Sequence, residues 1–228
     1  MSQGHAVSPR CIRCHMQLVM CLCDQVPTVA TRTRIALLMH KQELVKTSNT
    51  GQLARLALPN SEQRIRGERD APLDVTDWFN DGHLTVVLFP SDTAVPLASL
   101  PRDKPIRLVV PDATWSQARR MVRRTDGLED APKVILPAGL VSEYGLRKRK
   151  REGGVCTLEA ITEALVQLEG EHVRAPLEHL LTVFVDRMLF ARGRLRKDEV
   201  FGGVPPAALR QRGGTSSGYL AKWFANRQ

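Results

Sequence analysis

The chain has 228 residues, a length typical of one globular domain with room for a small appendage. Hydrophobic residues make up 43% of the chain, enough for a buried core, yet no apolar run approaches the roughly 18 residues that suggest a transmembrane helix. Lys and Arg number 33 against 24 Asp and Glu, and the resulting net charge of +9 favours a polyanionic partner such as nucleic acid.

Four of the five cysteines lie close together near the amino terminus, as Cys11, Cys14, Cys21 and Cys23 in the spacing C-x2-C-x6-C-x-C. This stretch lacks the features of a secretory signal, so we expect a cytoplasmic protein whose clustered thiols bind a metal rather than form disulfides. A closed site of four thiolates suits structural zinc. The sequence therefore predicts a four-cysteine zinc-binding appendage over residues 1–25, the alternative being surface thiols without metal.

Four short apolar runs in the following chain predict strands. They are rich in β-branched residues and bounded by Pro, Gly or charge, which is typical of parallel strands covered on both faces. They cover residues 34–39, 84–89, 106–110 and 133–136. Helical patterns cover residues 49–58, 116–124, 157–168 and 176–191. This alternation predicts an α/β fold with a parallel sheet.

Polar side chains follow three of the predicted strands. Asp112, Thr114 and Trp115 come where one strand ends and a helix begins, at the edge of the sheet where open α/β folds bind ligands. His40 and Ser91 follow two other strands in the same way, so the three clusters predict one crevice. The alternatives are that Asp112 or Thr114 only caps the helix and that His40 is a structural histidine.

Basic residues are concentrated in three segments that suit RNA phosphates, the alternative being solvated charged surface. They are Arg119, Arg120, Arg123 and Arg124 in one helix, the run Arg147, Lys148, Arg149, Lys150 and Arg151, and a basic tail over residues 201–228. The pair Gly153-Gly154 precedes a helix, and unpaired backbone amides at such a position suit an anionic or carboxylate ligand.

In their order along the chain, these motifs resemble the DTW-domain family. Its Asp-x-Thr-Trp motif corresponds to residues 112–115, and the cysteine cluster, HKQELVKTSNTG at 40–51, LFPSD at 88–92 and TLEA at 157–160 are also similar. The resemblance covers nearly the whole chain and is closest to bacterial tRNA-uridine aminocarboxypropyltransferases, which are related to the SPOUT fold. Cys156 and Lys41 depart from the family, where Ser and Pro are expected.

The resemblance implies a parallel-sheet SPOUT-like domain over residues 26–200 with a C-terminal trefoil knot. It also implies that S-adenosylmethionine donates its 3-amino-3-carboxypropyl group to N3 of a uridine in tRNA. Asp112 would orient the uridine or accept the N3 proton. Trp115 would pack against the adenine or support the loop, the alternative being plain core packing.

The resemblance places the donor against twelve residues of three loops. These residues are Leu88, Phe89, Pro90, Ser91, Asp112, Thr114, Trp115, Cys156, Thr157, Leu158, Glu159 and Ala160. Two alternative functions stay open. One is a SPOUT-like RNA methyltransferase with the same donor, and the other is a non-catalytic zinc-containing RNA-binding protein.

Overall fold

A computed structural model describes residues 9–68, 73–146 and 154–206. The chain divides into two compact units. The larger unit comprises residues 27–179 and carries the sheet, whereas the smaller unit combines residues up to 26 with those from 180 onward and carries the cysteine cluster. No helix within the described ranges is long and apolar enough to cross a membrane.

In the described part of the larger unit, six parallel strands form one sheet, in the order β2-β1-β5-β3-β6-β4. Their bounds are β1 Arg34–His40, β2 Ser61–Arg66, β3 Leu84–Leu88, β4 Val95–Pro96, β5 Ile106–Asp112 and β6 Lys133–Ile135. The predicted α/β fold with a parallel sheet is confirmed. The two edge strands were not predicted, because β2 has a single apolar residue and is half-buried throughout and β4 has only two residues.

The described residues contain four α-helices, as α1 Gly51–Ala57, α2 Trp115–Arg123, α3 Thr157–Glu169 and α4 Arg174–Ala191. Short 3-10 helices lie at Leu18–Met20, Lys41–Glu43, Thr76–Phe79, Leu97–Ser99, Glu171–Val173 and Lys197–Glu199. All four predicted helices are confirmed to within two residues at each end. Pro176 lies in the first turn of α4, where its missing amide proton leaves no helical hydrogen bond unmade.

The core lies on both faces of the central strands. Successive side chains of β1 point to opposite faces of the sheet. Ala36 and Leu38 pack with Met121 and Val122 of α2, as part of one buried cluster. Met39 points to the other face, where its sulfur accepts a hydrogen bond from Gln52 of α1 at 3.9 Å. Both faces are therefore covered, which explains the uninterrupted apolar runs of the inner strands.

A buried arginine links the elements at the amino edge of the sheet. Arg107, the second residue of β5, is only 1% exposed. Its guanidinium donates to the Trp78 carbonyl at 2.7 Å and pairs with both carboxylate oxygens of Asp81, while Glu62 lies at 3.4 Å from its Nε. The hydrogen bonds from Arg107 hold the pKa of Asp81 well below its usual range. This edge therefore carries a compensated charge cluster.

In the smaller unit, a second buried arginine organises the chain around the cysteines. The Arg187 guanidinium, 1% exposed, donates to both carboxylate oxygens of Asp24 at 2.8 and 3.0 Å, to the Cys21 carbonyl and to the Gly203 carbonyl. The hydrogen bond from Arg187 lowers the pKa of Asp24. Arg187 thus joins the second cysteine pair to the segment after α4.

Candidate active site and cysteine cluster

A cavity of about 280 Å³ opens at the carboxyl edge of β3, β5 and β6. This volume is close to the lower end of the roughly 300–1000 Å³ that small-molecule sites occupy. The loop after β3, the turn between β5 and α2 and the residues before α3 form its wall. The cavity therefore lies where a parallel sheet is expected to bind its ligand.

Seven of the twelve residues predicted to hold the donor line this cavity, as Leu88, Phe89, Pro90, Trp115, Cys156, Thr157 and Ala160. The other five lie outside its wall, as Ser91, Asp112, Thr114, Leu158 and Glu159. Leu158 is fully buried in the core, whereas Ser91 is exposed in the loop after β3. Thr114 is the N-cap residue of α2, as one alternative predicted, and its amide and hydroxyl both donate to Gln117 Oε1.

Two aromatic side chains form one wall of the cavity. The Trp115 and Phe89 rings have centroids 6.0 Å apart and are tilted by 51°. Trp115 is 54% exposed, because it is the first residue of α2 and its indole faces away from the core. The alternative of plain core packing for Trp115 is therefore wrong. An exposed indole beside an apolar cavity suits a flat heteroaromatic ring.

Asp112 ends β5 just behind the cavity, and its carboxylate is only 6% exposed. Asn49 Nδ2 donates to Oδ2 at 2.7 Å, and the Thr157 hydroxyl donates to Oδ1 at 2.8 Å. Both donors are neutral. Burial raises the pKa of Asp112 above its usual value, although the two hydrogen bonds act in the opposite sense. A carboxylate with a raised pKa is a stronger base than an ordinary one.

Asn49 and Gly51 set the position of this carboxylate. Asn49 Oδ1 accepts a hydrogen bond from the Gln52 amide at 3.0 Å, so the same side chain caps the start of α1 and binds Asp112. Gly51 leaves the space that the carboxylate fills, since a β-carbon there would lie 3.2 Å from Asp112 Cγ and collide with Oδ2. The helix predicted from residue 49 gave no indication of the bond from Asn49 to Asp112, because residues 63 positions apart carry no local signal.

The cysteine cluster brings the four predicted ligands together, with all four sulfur atoms within 4.8 Å of one another. The Cys11–Cys23 and Cys14–Cys21 sulfur distances are 3.6 and 3.7 Å. Tetrahedral zinc with bonds of about 2.3 Å requires sulfur atoms about 3.8 Å apart. The four thiols therefore fit zinc, and none of the positions around such an ion would be left for water.

The protonation of these thiols also favours a cation. Burial raises the pKa of both Cys14 and Cys23. Burial acts in the same sense on Cys11, but hydrogen bonds from the backbone amides of Cys14 and Arg13 outweigh it and lower the pKa of Cys11 to about 6. Without a metal, the thiols thus differ in pKa and would not all be deprotonated together. A divalent metal would supply the positive charge that favours the thiolate form of all four.

The family model of the DTW domain matches residues 8–189, which is most of the chain. The chain belongs to the DTW-domain family. Both the cysteine cluster and the edge that carries Asp112 and Trp115 lie within the matched range. No solved structure matches this DTW chain at a significant level.

Three curated relatives that match this DTW chain are named as tRNA-uridine aminocarboxypropyltransferases. The tRNA-uridine aminocarboxypropyltransferase 2 of Drosophila melanogaster is 29% identical over 171 residues, covering 71% of this chain and 67% of that protein. Its namesake of Macaca fascicularis is 28% identical, covering 71% and 57%. The tRNA-uridine aminocarboxypropyltransferase A of Arabidopsis thaliana is 28% identical, covering 77% and 79%. The alignments thus span 57% to 79% of these relatives.

His40 lies on the other side of the DTW motif from the cavity. As the last residue of β1, it follows Met39, which pairs with Asp112 across the sheet. Its Nδ1 accepts a hydrogen bond from the Gln42 amide at 3.2 Å and lies 3.4 Å from Gln117 Nε2. Burial and the nearby cations lower the pKa of His40, in spite of Glu43. His40, the polar residue predicted at the end of the first strand, therefore lies beside the DTW motif.

Cys156 and Glu159 fix the start of α3. Glu159 Oε2 accepts from the Cys156 amide at 2.6 Å, and Oε1 accepts from the amides of Glu143 and Tyr144 at 2.7 and 3.0 Å. Glu159 thereby binds the preceding loop to the helix. Burial raises the pKa of Cys156 to about 12, so the side chain in the position expected for Ser remains a neutral thiol.

The predicted RNA-binding residues fall into two groups. Arg119, Arg120 and Arg123 are exposed on α2, and Arg124, its C-cap residue, is exposed as well; all four lie within about two and a half helical turns of Trp115. The second group, Arg147, Lys148, Arg149, Lys150 and Arg151, lies outside the described residues, as do Gly153 and residues 207–228. The exposed arginines of α2 thus form one basic surface beside the cavity of the DTW domain.

Proposed function

We propose that this chain transfers the 3-amino-3-carboxypropyl group of S-adenosylmethionine to N3 of a uridine in tRNA, forming 3-(3-amino-3-carboxypropyl)uridine. The observation that carries the proposal is the arrangement around Thr157, which lines the cavity and donates a hydrogen bond to Asp112. This contact joins a space for the donor to a buried carboxylate that takes up a proton. The names of the relatives support the same reaction.

The donor occupies the cavity beside Trp115 and Phe89. Their rings supply an apolar wall for the adenine. Leu88, Pro90 and Ala160 extend that wall. The amino and carboxylate groups of the donor need polar partners, and the backbone around Gly154, which also lines the cavity, suits them. Ser91, Thr114, Leu158 and Glu159 act on the donor indirectly, by shaping these loops.

The chemistry needs one bond to form, one to break and one proton to leave. A new bond joins N3 of the uridine to the terminal carbon of the aminocarboxypropyl group, while the bond from this carbon to the sulfonium breaks and methylthioadenosine leaves. The attacking atom must lie in line at about 3–3.5 Å. Asp112 takes up the N3 proton through the Thr157 hydroxyl, which lies between the carboxylate and the cavity.

The basic surface of α2 holds the RNA. Arg119, Arg120, Arg123 and Arg124 bind phosphates, and the run over 147–151 with the tail over 201–228 extends this binding. Such contacts position the RNA without reading its sequence, so the choice of nucleotide depends on tRNA shape and on an exposed loop base. A tRNA substrate and reduced cysteines both favour a cytoplasmic location.

Zinc in the four-cysteine cluster has a structural role, stabilising the appendage over residues 1–25. The test is the double variant Cys11→Ser with Cys14→Ser, measured by metal content and thermal melting. We expect the purified wild-type protein to carry one zinc per chain and the variant to carry none and to melt earlier. An unchanged metal content in the variant would remove the four-thiolate site.

The domain over residues 26–200 belongs to the SPOUT-like class, with its C-terminal part threaded as a trefoil knot. The all-parallel sheet and the donor cavity at its carboxyl edge support this assignment. The decisive observation is a crystal structure in which the chain from 140 to 170 can be traced continuously. A path that stays outside the other loops would exclude the knot.

One experiment tests the whole proposal. Purified protein is incubated with S-adenosylmethionine and unmodified tRNA transcripts, and nucleosides and small products are analysed by mass spectrometry. We expect aminocarboxypropyluridine together with methylthioadenosine. Methylated nucleoside with S-adenosylhomocysteine would make the chain a methyltransferase. Bound tRNA without any turnover of the donor would favour a non-catalytic RNA-binding protein.

A further inference from the structure

The hydrogen bonds around His40 determine which of its ring nitrogens carries the proton. A backbone amide can only donate, so the bond from the Gln42 amide makes His40 Nδ1 an acceptor. A neutral imidazole with an acceptor at Nδ1 carries its proton on Nε2. His40 therefore presents Nε2–H as a hydrogen-bond donor.

Gln117 reinforces this assignment from α2. Its Oε1 accepts from the Thr114 amide at 3.1 Å, which identifies the other terminal atom as the donating nitrogen. That nitrogen donates to Gln42 Oε1 at 2.7 Å and faces His40 Nδ1 at 3.4 Å. Two N–H groups thus face Nδ1, and both disfavour a proton on it. Gln117 therefore links the orientation of His40 to Thr114, the DTW-motif residue that caps α2.

The position of His40 brings this donor to the edge that carries the proposed reaction. His40 ends β1, the strand next to β5, and Asp112 ends β5. Gln117, which holds His40, lies two residues after Trp115 in the same helix turn. The imidazole is partly exposed, so a bound nucleotide can reach it. No hydrogen bond to its Nε2 occurs among the described residues, and His40 therefore keeps a donor for a ligand.

We propose that His40 is a further catalytic residue, whose Nε2–H donates a hydrogen bond to O4 of the target uridine. This inference rests on the proposed transfer to N3. Loss of the N3 proton spreads negative charge over N3, O2 and O4, and a fixed donor at O4 stabilises that charge as it develops. The same donor rejects cytosine, which carries an amino group at this position and would set one donor against another.

Two variants of His40 separate its two nitrogens. In His40→Asn the side-chain oxygen keeps the acceptor near Nδ1 for the Gln42 amide but supplies no donor at Nε2. In His40→Gln the longer side chain carries an amide donor to the Nε2 position. Single-turnover transfer to unmodified tRNA transcripts is measured with each variant, together with tRNA affinity, S-adenosylmethionine affinity and thermal melting.

We expect His40→Asn to lower the rate constant about 100-fold, the usual effect of removing one such donor, with both affinities within about twofold. His40→Gln should recover at least tenfold of this loss. Equal rates for the two variants, or a wild-type rate in His40→Asn, would overturn the role of His40. Wild-type protein that forms no aminocarboxypropyluridine at all would instead refute the proposed function.

A second measurement needs no variant. Transcripts that carry 4-thiouridine in place of uridine present sulfur, a weaker hydrogen-bond acceptor, at position 4 of the target base. The wild-type rate should fall on these transcripts while their affinity stays within about twofold of the unsubstituted tRNA. An unchanged rate would contradict a hydrogen bond from His40 to O4.

Discussion

Each edge of the sheet carries a hydrogen-bonded carboxylate, Asp81 at the amino edge and Asp112 at the carboxyl edge, and the two differ in burial and in the charge of their partners. At the amino edge, Asp81 faces the Arg107 guanidinium and also approaches Arg34 at 3.3 Å. At the carboxyl edge, the hydrogen bonds that Asp112 receives within the described residues come from two neutral groups, Asn49 and Thr157. The pKa of Asp81 is consequently lowered by its hydrogen bonds, and that of Asp112 is raised by burial.

This difference is the one expected between a structural carboxylate and the proton acceptor that we propose at Asp112. A carboxylate paired with arginine gains stability from its charge and is a poor proton acceptor. A buried carboxylate without a cationic partner costs stability at neutral pH and accepts a proton more readily, which is typical of active sites. Substitutions at the amino edge should therefore change mainly the stability, and those at the carboxyl edge mainly the rate of transfer.

The largest effect is expected for Asp112→Asn. Removing the proton acceptor should lower the rate of transfer about 10³-fold or more. Because the raised pKa means that the charged form is disfavoured in the folded protein, the variant should melt at or above the wild-type temperature at pH 7. Transfer rates and thermal melting at pH 7 test both statements together.

The matched control for this variant is Asp81→Asn at the other edge, which should keep its transfer rate within about twofold. tRNA affinity should stay within a few-fold in both variants, because neither residue belongs to the basic surface of α2. Full activity in Asp112→Asn would remove Asp112 from the mechanism. A large loss of rate in Asp81→Asn would show that the amino edge also affects the transfer and that the two edges do not have separate roles.

The next effect in size is expected for Gly51→Ala. Alanine normally stabilises a helix relative to glycine by up to about 1 kcal/mol, but here the new methyl group collides with the Asp112 carboxylate and displaces it. The rate of transfer should fall about 100-fold because a small displacement of the base is costly. Transfer kinetics and the melting temperature should be recorded on the same preparation.

Gly82→Ala provides the comparison at the amino edge. Gly82 has a φ of +82°, and nothing lies within 4 Å of a β-carbon built there, so alanine meets backbone strain but no neighbour. That strain should cost about 1–2 kcal/mol of stability without changing the rate. A Gly51→Ala variant that behaves like Gly82→Ala would mean that the carboxylate tolerates displacement.

Much of the fold was predictable because the inner strands are buried on both faces. The apolar runs at 34–39, 84–89, 106–110 and 133–136 each contain a strand of the structure. Strand β2 was not predictable in this way, because an edge strand needs no apolar run and its sequence SEQRIR contains one apolar residue. The place of β2 beside β1 depends on pairing between strands, which the periodicity of hydrophobic residues along the sequence cannot reveal.

The site was predictable as an edge of the sheet but not as a set of contacts. A strand followed directly by a helix placed Asp112 and Trp115 at the carboxyl edge, and the cysteine spacing identified the cluster. The donors to Asp112 come from α1 and α3, which are far away in the chain, and only the folded structure brings them together. Gly51 ends the motif at 40–51, but its role could not be inferred from the sequence, because that role is to leave space for the Asp112 carboxylate.

Thr157→Val should have an intermediate effect and tests the contact between the cavity and Asp112. Valine has a similar shape but lacks the hydroxyl, so Asp112 loses one of its two donors and its pKa should rise further. We expect the rate at pH 7 to fall about 30-fold, with the activity profile displaced to higher pH. Thr157→Ser keeps the hydroxyl and should stay within about threefold of the wild type. Equal rates in the valine and serine variants would exclude the hydroxyl as the proton path.

The smallest effect on activity and the clearest effect on stability are expected for Asp81→Asn. Loss of the charge opposite Arg107 should cost about 2 kcal/mol of unfolding free energy at pH 7. The pKa of Asp81 in the folded protein lies below the unfolded value of about 3.9, so its contribution is complete above that pH and disappears as the pH falls further. The stability difference between wild type and variant should therefore shrink steadily below about pH 4, as measured by urea unfolding at several pH values. A difference that persists unchanged at about pH 2 would mean that Asp81 stabilises the amino edge by its packing rather than by its charge, and the contrast with Asp112 would then not be electrostatic.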